Sequence, residues 1–442
     1  MKPLNQYFAI FGTALCLCTL GCEKPAEGGN GKPTDTTKTV TEPTVEATSS
    51  SSNQFLFVSD VHYGADQVNK KDDYSTDTGP ILWKAAQTKM KSLFTTSTPP
   101  QFVIYTGDLP AHYEGATSHG TCPAALTDTK GDSTLTDHKA ALKTVLEDLY
   151  GILPAGVPMF YAPGNNDAIS GDYFSFADAS QNTPFELVAK SDNYPAPNAH
   201  TPCGKAPCMV SNPDPKHGYY TAKATDNLRI IALNSVILNG FYCEVDGVKH
   251  EKAGDTMMNW FGKQLDAAAT AGDKVYIIMH IPPNKWSRNE DWKTTFLTDI
   301  EAHDSIISGI MYGHTHMDEV LLFHGVKNRQ KVTEVGISCP GITPLHANNP
   351  GFKTVSYQPG TMELAGFDTY WTTPDASDWG HSTYSFSKYY AQGSQPTIYD
   401  ALKNTNNFDS KAILKNMHEV YWVMHPPSKK DEKWFPTSID VY

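Results

Sequence analysis

The 442-residue sequence has little positive charge, few cysteines and no apolar run of membrane-spanning length, and each shortage excludes a class of protein. It carries 35 lysine and arginine residues against 48 aspartate and glutamate residues, a formal net charge of −13. An acidic chain binds nucleic acid and anionic membrane surfaces poorly. The apolar stretch at 7–20 is shorter than the ~20 residues that a membrane-spanning helix needs. We therefore expect no specific nucleic-acid partner and no transmembrane helix from this stretch.

The N-terminal residues are expected to lie outside the fold. Residues 1–21 combine a basic residue with a short apolar stretch, which predicts a signal peptide. The ending Leu20-Gly21-Cys22 resembles a bacterial lipoprotein cleavage site, at which Cys22 would become lipidated. Residues 22–53, rich in Thr, Ser, Pro and Glu, predict a disordered linker. We expect an exported protein, held at the outer membrane or the periplasmic face through Cys22, or secreted if Cys22 stays free.

The cysteines that remain after Cys22 predict a disulfide. There are five of them, Cys122, Cys203, Cys208, Cys243 and Cys339. Exported proteins meet oxidising conditions, and Cys203 with Cys208 is the obvious local pair. The same spacing could be half of a zinc knuckle, but no second half is apparent. The odd number leaves at least one thiol unpaired.

From residue 54 the sequence alternates between strand and helix patterns. Short apolar runs at 55–59, 102–106 and 157–161 predict buried strands. The patterns at 80–93 and 136–150 predict helices between these strands. Because strands joined by helices usually pair in parallel, this half predicts a largely parallel sheet with right-handed crossovers.

The second half predicts another group of strands. Regular patterns are lost over 168–227 and return as a strand at 228–233 and an amphipathic helix at 254–271. Four later runs predict antiparallel strands, at 319–323, 331–338, 353–357 and 362–367. We expect these four to form most of a second sheet facing the first, with helices outside both. We assign 54–372 to one α/β catalytic domain and 373–442 to a mainly helical subdomain packed on it.

Five short motifs carry side chains of the metal-binding kind. They are, in chain order, Asp60-Val61-His62, Gly107-Asp108, Gly164-Asn165-Asn166-Asp167, His280 and Gly313-His314-Thr315-His316. Three of them directly follow a predicted strand, and open α/β sheets place their sites beyond the carboxyl ends of strands. Each motif alone has an ordinary explanation as a turn, a strand end or a core histidine. Their conjunction predicts seven metal ligands on one rim of one sheet.

The seven candidate ligands divide into two sets that share one carboxylate. Asp108 offers two oxygens and is the natural bridge between two ions. One ion would take Asp60, His62, Asp108 and His316, and the other would take Asp108, Asn165, His280 and His314. Oxygen and imidazole ligands without cysteine suit zinc, manganese or iron. Two such ions ~3.5–4 Å apart activate water and neutralise phosphoryl oxygens, so we expect phosphate-ester hydrolysis.

The order of the motifs resembles that of the calcineurin-like metallophosphoesterase superfamily. Segments 106–112, 272–283 and 313–319, with Asn349-Pro350-Gly351-Phe352, are similar to its acid sphingomyelinase-like phosphodiesterase branch. The resemblance implies a four-layer α/β/β/α sandwich of two facing mixed sheets. It also implies two divalent metal ions, zinc first with manganese or iron as alternatives, and attack of a metal-bridging hydroxide on phosphorus.

Two departures from that family bear on catalysis. The family commonly has histidine after the liganding asparagine, where this chain has Asn166, and an amide cannot act as a general acid. The expected acid is therefore His112, which matches the second active-site histidine of the sphingomyelinase-like branch. No saposin-like segment precedes Gln54, so we expect a soluble phosphodiester more than sphingomyelin.

These observations define the expected function and its alternatives. The main expectation is a phosphodiesterase acting on a nucleotide, a CDP-alcohol or a phospholipid headgroup. One alternative is a phosphomonoesterase or polyphosphatase of the same fold. Another is a metal-containing protein that binds a phosphate ligand with little catalysis, because Asn166 replaces a proton donor. A membrane contact is expected only through a lipidated Cys22.

Overall fold

The computed structural model describes residues 53–112, 125–128, 134–188, 203–245, 250–286, 290–377, 379–380, 382–390, 396–403 and 410–442. The predicted signal peptide, Cys22 and almost all of the predicted linker lie outside this part of the chain. Within it, no helix has the length and apolar character needed to span a bilayer.

The first sheet has six strands and is mixed. In spatial order they are β13 (Thr383–Ser385), β12 (Leu364–Trp371), β11 (Gly351–Tyr357), β1 (Asn53–Val58), β2 (Val103–Tyr105) and β3 (Met159–Tyr161). β1, β2 and β3 run parallel to one another, as predicted from the alternation of strands and helices. β11 pairs antiparallel with β1, with Phe55 opposite Val355.

The second sheet has eight strands and is also mixed. In spatial order they are β14 (Asp440–Val441), β9 (Val320–His324), β10 (Val332–Ser338), β8 (Ile307–Tyr312), β7 (Lys274–Ile278), β6 (Leu228–Ala232), β5 (Tyr219–Thr225) and β4 (Cys208–Asp214). The central strands β6, β7, β8 and β10 are parallel. β4 pairs antiparallel with β5, β5 with β6 and β9 with β10, whereas β14 pairs parallel with β9.

The expected composition of the second sheet is wrong. Five of its strands, β4 to β8, precede His314, and the later strands β11 and β12 join β1 in the first sheet. An apolar run predicts that a segment is a strand, but it carries no information about the strand's partner. The irregular region 168–227 also contains β4 and β5, whose sequences lack a long β-branched run.

Helices cover both sheets and complete the predicted four layers. α1 (Pro80–Leu93) and α2 (Thr134–Ile152) share the large core with the first sheet. α3 (His250–Ala271) and the unpredicted α4 (Glu290–Ala302) pack against the outward residues of β7 and β8, such as Ile277 and Ile310. On the other face Tyr276 contacts Phe55 of the first sheet, with ring centroids 5.8 Å apart. The two sheets therefore face each other, and the predicted sandwich architecture is confirmed.

The C-terminal part contains α5 (Phe386–Tyr389), α6 (Ile398–Lys403) and α7 (Ser410–Val420), together with β13 and β14. Met417, Val420 and Trp422 belong to the same buried cluster as Phe55. The C-terminal segment thus shares the core of the sandwich, and the boundary at residue 373 stays a prediction.

The cysteines agree with the expectation for an exported protein. Cys203 and Cys208 form a disulfide, and Cys243 is also disulfide-bonded. Cys339 is a buried free thiol whose Sγ lies 3.1 Å from the carbonyl oxygen of Phe57. The local pair is therefore a disulfide and not half of a metal knuckle.

Candidate metal centre

The candidate ligands lie on loops that leave strands of both sheets. Asp60, Asp108 and Asn165 follow β1, β2 and β3 of the first sheet, whereas His280 and His314 follow β7 and β8 of the second. The expectation of one rim of one sheet is therefore wrong, because the ligands meet where the carboxyl ends of two facing sheets converge. The site lies in the cleft between them.

Five of the ligand residues have left-handed backbone conformations. The φ angles are 49° at Asp60, 47° at His62, 61° at Asp108, 71° at His314 and 63° at His316. Such conformations cost residues other than glycine about 1–3 kcal/mol each and cluster at functional sites. They turn the chain sharply at the end of each strand and bring the side chains into the cleft.

Close backbone approach explains the glycines beside the ligands. A Cβ on Gly164 would collide with the backbone nitrogen and a carboxylate oxygen of Asp108. A Cβ on Gly313 would collide with the hydroxyl of Ser59. Glycine is therefore required where two ligand loops touch.

The first group of ligands surrounds Asp60. His316 Nε2 lies 3.4 Å from Asp60 Oδ1, and His62 Nε2 lies 3.8 Å from the same oxygen. His62 Nε2 is also 3.3 Å from Asp108 Oδ2. All four side chains are buried. These are the residues expected to hold one ion.

The second group surrounds Asn165. Its Oδ1 lies 3.0 Å from both His280 Nε2 and His314 Nδ1. His280 Nε2 is 3.2 Å from Asp108 Oδ2, the same oxygen that faces His62. Asp108 is thus shared between the two groups, as expected of a bridging carboxylate.

The donor set fits divalent cations. His280 Nδ1 lies 2.6 Å from the carbonyl oxygen of Thr106, which can only accept, so Nδ1 carries a proton and Nε2 is the ligand atom. His62 Nε2 is buried without a hydrogen-bond partner among the residues that the structure describes. Carboxylate, amide and imidazole atoms that converge in this way suit zinc, manganese or iron. The residues present therefore fit the metal ions that the sequence implied.

Electrostatics supports the same interpretation. Burial raises the pKa of Asp108, but its interactions with His280 and with nearby His62 outweigh this effect and hold the pKa well below its usual range. Burial lowers the pKa of His280, but the negative charge and hydrogen bond of Asp108 outweigh burial and raise the pKa to about 9. Burial and the charge of His280 lower the pKa of His314 to about 3. The negative charge of the buried Asp108 carboxylate is thus balanced by protonated histidine. A bound metal ion would supply the positive charge at the same place.

His112 lies at the edge of the cluster with Asp77 behind it. Its ring stacks on His62, with centroids 4.5 Å apart, and its side chain is 39% exposed. His112 Nδ1 lies 3.2 Å from Asp77 Oδ2, and Thr343 donates to Asp77 Oδ1 at 3.0 Å. Burial raises the pKa of Asp77, but His112 and His62 lower it more. Asp77 was not predicted, because the loop that carries it has no recognisable motif.

Asn166 connects ligands of the two groups. Its backbone N–H donates to Asp108 Oδ1 at 2.8 Å, and its Nδ2 lies 3.1 Å from His62 Nδ1. Its Oδ1 accepts a hydrogen bond of 3.1 Å from Asn165 Nδ2. The residue is 2% exposed and lies inside the cluster. Its amide can orient neighbouring side chains by hydrogen bonds but has no acidic proton to give to a leaving group.

Asp167 lies in the third motif, where the sequence does not indicate its role, and its carboxylate joins two ligand loops. Its Oδ2 accepts from the backbone N–H groups of Asp108 at 3.0 Å and Gly164 at 2.6 Å. Its Oδ1 accepts from the backbone N–H of Leu109 at 2.6 Å. A buried carboxylate with these donors holds the turns after β2 and β3 together. The third motif is therefore partly structural.

The fold and the site together define a metal-dependent phosphoesterase class. Residues 54–318 match the family model described as calcineurin-like phosphoesterase. The chain therefore belongs to the calcineurin-like phosphoesterase family, and the resemblance stated from the motifs is confirmed.

Similar proteins of known activity indicate which branch of the family this chain resembles. Sphingomyelin phosphodiesterase 1 of Caenorhabditis elegans is 30% identical over 164 residues, which cover 35% of this chain and 28% of that protein. Sphingomyelin phosphodiesterase of Bos taurus is 24% identical over 350 residues, 75% of this chain and 50% of that protein. Cyclic GMP-AMP phosphodiesterase SMPDL3A of Mus musculus is 27% identical over 235 residues, 48% of this chain and 52% of that protein. The chain is thus similar to the acid sphingomyelinase-like branch but spans about half or less of these relatives' lengths.

Among solved structures, a dimetal phosphatase from Danio rerio aligns with 75% of this chain and 98% of its own. The TM-score is 0.45 and the sequence identity is 14%.

Proposed function

We propose that this chain is an exported, dinuclear metal-dependent phosphodiesterase. The observation that carries the proposal is the sharing of one carboxylate oxygen, Asp108 Oδ2, between His62 Nε2 at 3.3 Å and His280 Nε2 at 3.2 Å. A lone metal site has no need of a carboxylate placed between two sets of ligands. The substrate is a phosphodiester of the nucleotide, CDP-alcohol or phospholipid-headgroup type.

The residues would divide the work between binding and positioning. Asp60, His62 and His316 would hold one ion, Asn165, His280 and His314 the other, and Asp108 both, with zinc as the first choice and manganese or iron as alternatives. When bound, two such ions supply a hydroxide nucleophile near neutral pH and neutralise the phosphate oxygens.

His112 is the proton donor in this proposal. Its Nδ1 faces Asp77 at 3.2 Å, which leaves Nε2 to donate to the leaving oxygen. The carboxylate of Asp77 behind the ring holds its orientation. Asn166 occupies the neighbouring position but has no acidic proton. Catalysis therefore depends on one histidine acid at the exposed edge of the site.

The location proposed for the protein is the cell envelope. A lipid on Cys22 would anchor the domain through the linker at 22–53, and a free Cys22 would leave it secreted. The disulfide between Cys203 and Cys208 supports export, because such bonds persist in oxidising compartments.

The purified full chain tests the function directly. We expect two metal ions per chain by elemental analysis, and faster turnover of bis-p-nitrophenyl phosphate than of p-nitrophenyl phosphate with zinc, manganese or iron. The turnover of nucleotides, CDP-alcohols, sphingomyelin and polyphosphate is then compared, and the substrate that reacts fastest identifies the preferred leaving group. A faster monoester reaction would favour a phosphomonoesterase or polyphosphatase. Bound metal without turnover of any ester would favour the phosphate-binding protein that Asn166 suggests.

Replacing His112 by glutamine is expected to separate substrates by their leaving groups. For an alkyl leaving group the turnover number should fall about 10²–10⁴-fold, because a positioned general acid contributes that much. For p-nitrophenolate, which departs without a proton, the loss should be small. Turnover numbers of wild type and variant with both substrate types provide the measurement. His303→Gln, on a histidine paired with Asp266, serves as the control, and an equal loss with both substrates would argue against the acid role.

A further inference from the structure

An asparagine ligand has two different ends, and only one of them binds a metal ion. Asn165 Oδ1 is an acceptor, whereas Nδ2 is a donor that cannot coordinate a cation. In the structure Oδ1 faces His280 Nε2 and His314 Nδ1 at 3.0 Å each. Rotation of the amide by half a turn would place the NH₂ group against these imidazoles. Something must therefore hold the amide in its productive orientation.

Asp172 is the group that discriminates between the two orientations. Its Oδ1 accepts a hydrogen bond of 2.8 Å from Asn165 Nδ2. An ionised carboxylate can only accept, so a reversed amide would place two oxygens against each other at this short distance. Asn166 Oδ1 also accepts from Asn165 Nδ2, at 3.1 Å. Unlike a carboxylate, an amide such as Asn166 could rotate together with Asn165 and keep a hydrogen bond.

The backbone brings Asp172 to this position by a tight return of the chain. The N–H of Gly171 donates to the carbonyl of Ala168 at 3.0 Å, and Gly171 has a φ of 113°, in the region that favours glycine. The N–H of Tyr173 then donates to the carbonyl of Asn165 at 2.8 Å. Asp172 is thus held between two fixed points, and its side chain meets the amide of a residue seven positions earlier.

We propose that Asp172 is a positioning residue that orients the amide of Asn165 toward the second metal ion. The inference rests on the proposed dinuclear function and adds a residue to it that belongs to none of the ligand motifs. Asn166 links the same amide to His62, a ligand of the first ion. Orientation of the ligand, and not the negative charge of Asp172, is the property that matters.

Two substitutions separate orientation from charge. Asp172→Leu keeps the approximate size and removes the acceptor, so the amide of Asn165 can rotate. Asp172→Asn removes the charge but can still present an oxygen to Asn165 Nδ2. Asp266→Leu, which removes a largely exposed carboxylate on α3, is the matched control.

Calorimetric titration of metal-stripped full-length protein with Zn²⁺ alone gives the readout without any substrate. Wild type should show two binding events. Asp172→Leu should weaken one of them about 10–100-fold, the usual cost of losing a group that orients a ligand, and leave the other unchanged. Asp172→Asn should lose less than Asp172→Leu, because its amide can still accept from Asn165 Nδ2 although it can also rotate together with it. Asp266→Leu should resemble wild type. Two unchanged events in Asp172→Leu, or an equal loss in Asp172→Asn, would overturn the inference.

A second pair of variants, made in the presence of Asn165→Asp, distinguishes loss of ligand orientation from unfolding of Asp172→Leu. Asn165→Asp replaces the amide by a carboxylate, whose two oxygens are equivalent and need no orientation. In that background Asp172→Leu should no longer weaken Zn²⁺ binding and should relieve repulsion between two carboxylates. The same loss in both backgrounds would assign the effect to folding and refute the positioning role. Absence of two binding events in wild type would reject the proposed function itself, which distinguishes the two failures.

Discussion

Asp108→Asn is expected to weaken both metal binding and hydrolysis strongly while leaving the fold intact. Asp108 Oδ1 accepts the backbone N–H of Asn166 at 2.8 Å, so the amide oxygen of the variant should take that position. The NH₂ group would then face His62 and His280, where Oδ2 now lies 3.3 and 3.2 Å from their Nε2 atoms. A donor at this shared position cannot bridge two cations. One substitution therefore damages both groups of ligands.

The turnover number of this variant should fall on the order of 10³-fold or more, since metal ions contribute several kcal/mol of transition-state stabilisation. Metal content should fall below two ions per chain. Elemental analysis and bis-p-nitrophenyl phosphate turnover measure both effects on the same sample. Asp299→Asn, on a carboxylate of α4 outside the metal centre, controls for loss of a charge. Two bound ions with full activity in Asp108→Asn would contradict the dinuclear mechanism.

Three of the candidate ligands could be located from the sequence because each follows a strand pattern directly. Asp60, Asp108 and His280 follow apolar runs, and Gly107 predicts the turn that carries Asp108. Sequence patterns of this kind are local, and the order of the motifs, which resembles that of the family, indicates that they belong to one site. A shared position for Asp108 was predicted from its two oxygens, whereas in the structure Oδ2 alone faces both groups and Oδ1 accepts from the backbone of Asn166. Local patterns and the order of the motifs were therefore sufficient to name the seven candidate ligands that the structure brings together.

The remaining parts of the site depend on contacts between distant segments. Asp77 contacts Thr343, which lies 266 positions later in the sequence. Asp172 meets Asn165 only because the chain returns through the turn at Gly171. Neither contact leaves a periodic or compositional signal. The pairing of β11 with β1 was missed for the same reason, since a strand pattern does not specify a partner.

Lys353→Met is expected to be the most destabilising of the substitutions considered, through a buried ion pair that supports the histidine loop. Lys353 Nζ lies 2.7 Å from Asp318 Oδ1, and both side chains are fully buried. Asp318 Oδ2 also accepts from Thr369 at 2.8 Å and Tyr384 at 2.6 Å. The network therefore ties β11, β12 and β13 of the first sheet to the segment that follows His316. Without Lys353 the carboxylate of Asp318 would stay buried without a cation.

Removing one partner of a buried ion pair typically costs about 3–5 kcal/mol, because the other charge is left desolvated. We expect a loss of this size in the free energy of unfolding, measured by denaturant titration of the metal-stripped protein. Lys331→Met is the matched control, because Lys331 pairs with Asp304 at 2.6 Å but the two side chains are 47% and 37% exposed. An exposed pair contributes only about 0–1 kcal/mol.

A second substitution shows whether the buried charge is the cause of this loss. In Lys353→Met, adding Asp318→Asn removes the uncompensated charge and keeps an oxygen for Thr369 and Tyr384. The double variant should therefore be more stable than Lys353→Met alone. With Asp318→Asn alone measured as well, the double-mutant cycle gives the coupling energy of the pair. Equal losses in Lys353→Met and Lys331→Met would show that burial does not set the strength of the Lys353–Asp318 pair. A large loss that Asp318→Asn partly restores would establish that electrostatics joins the first sheet to the loop carrying His314 and His316.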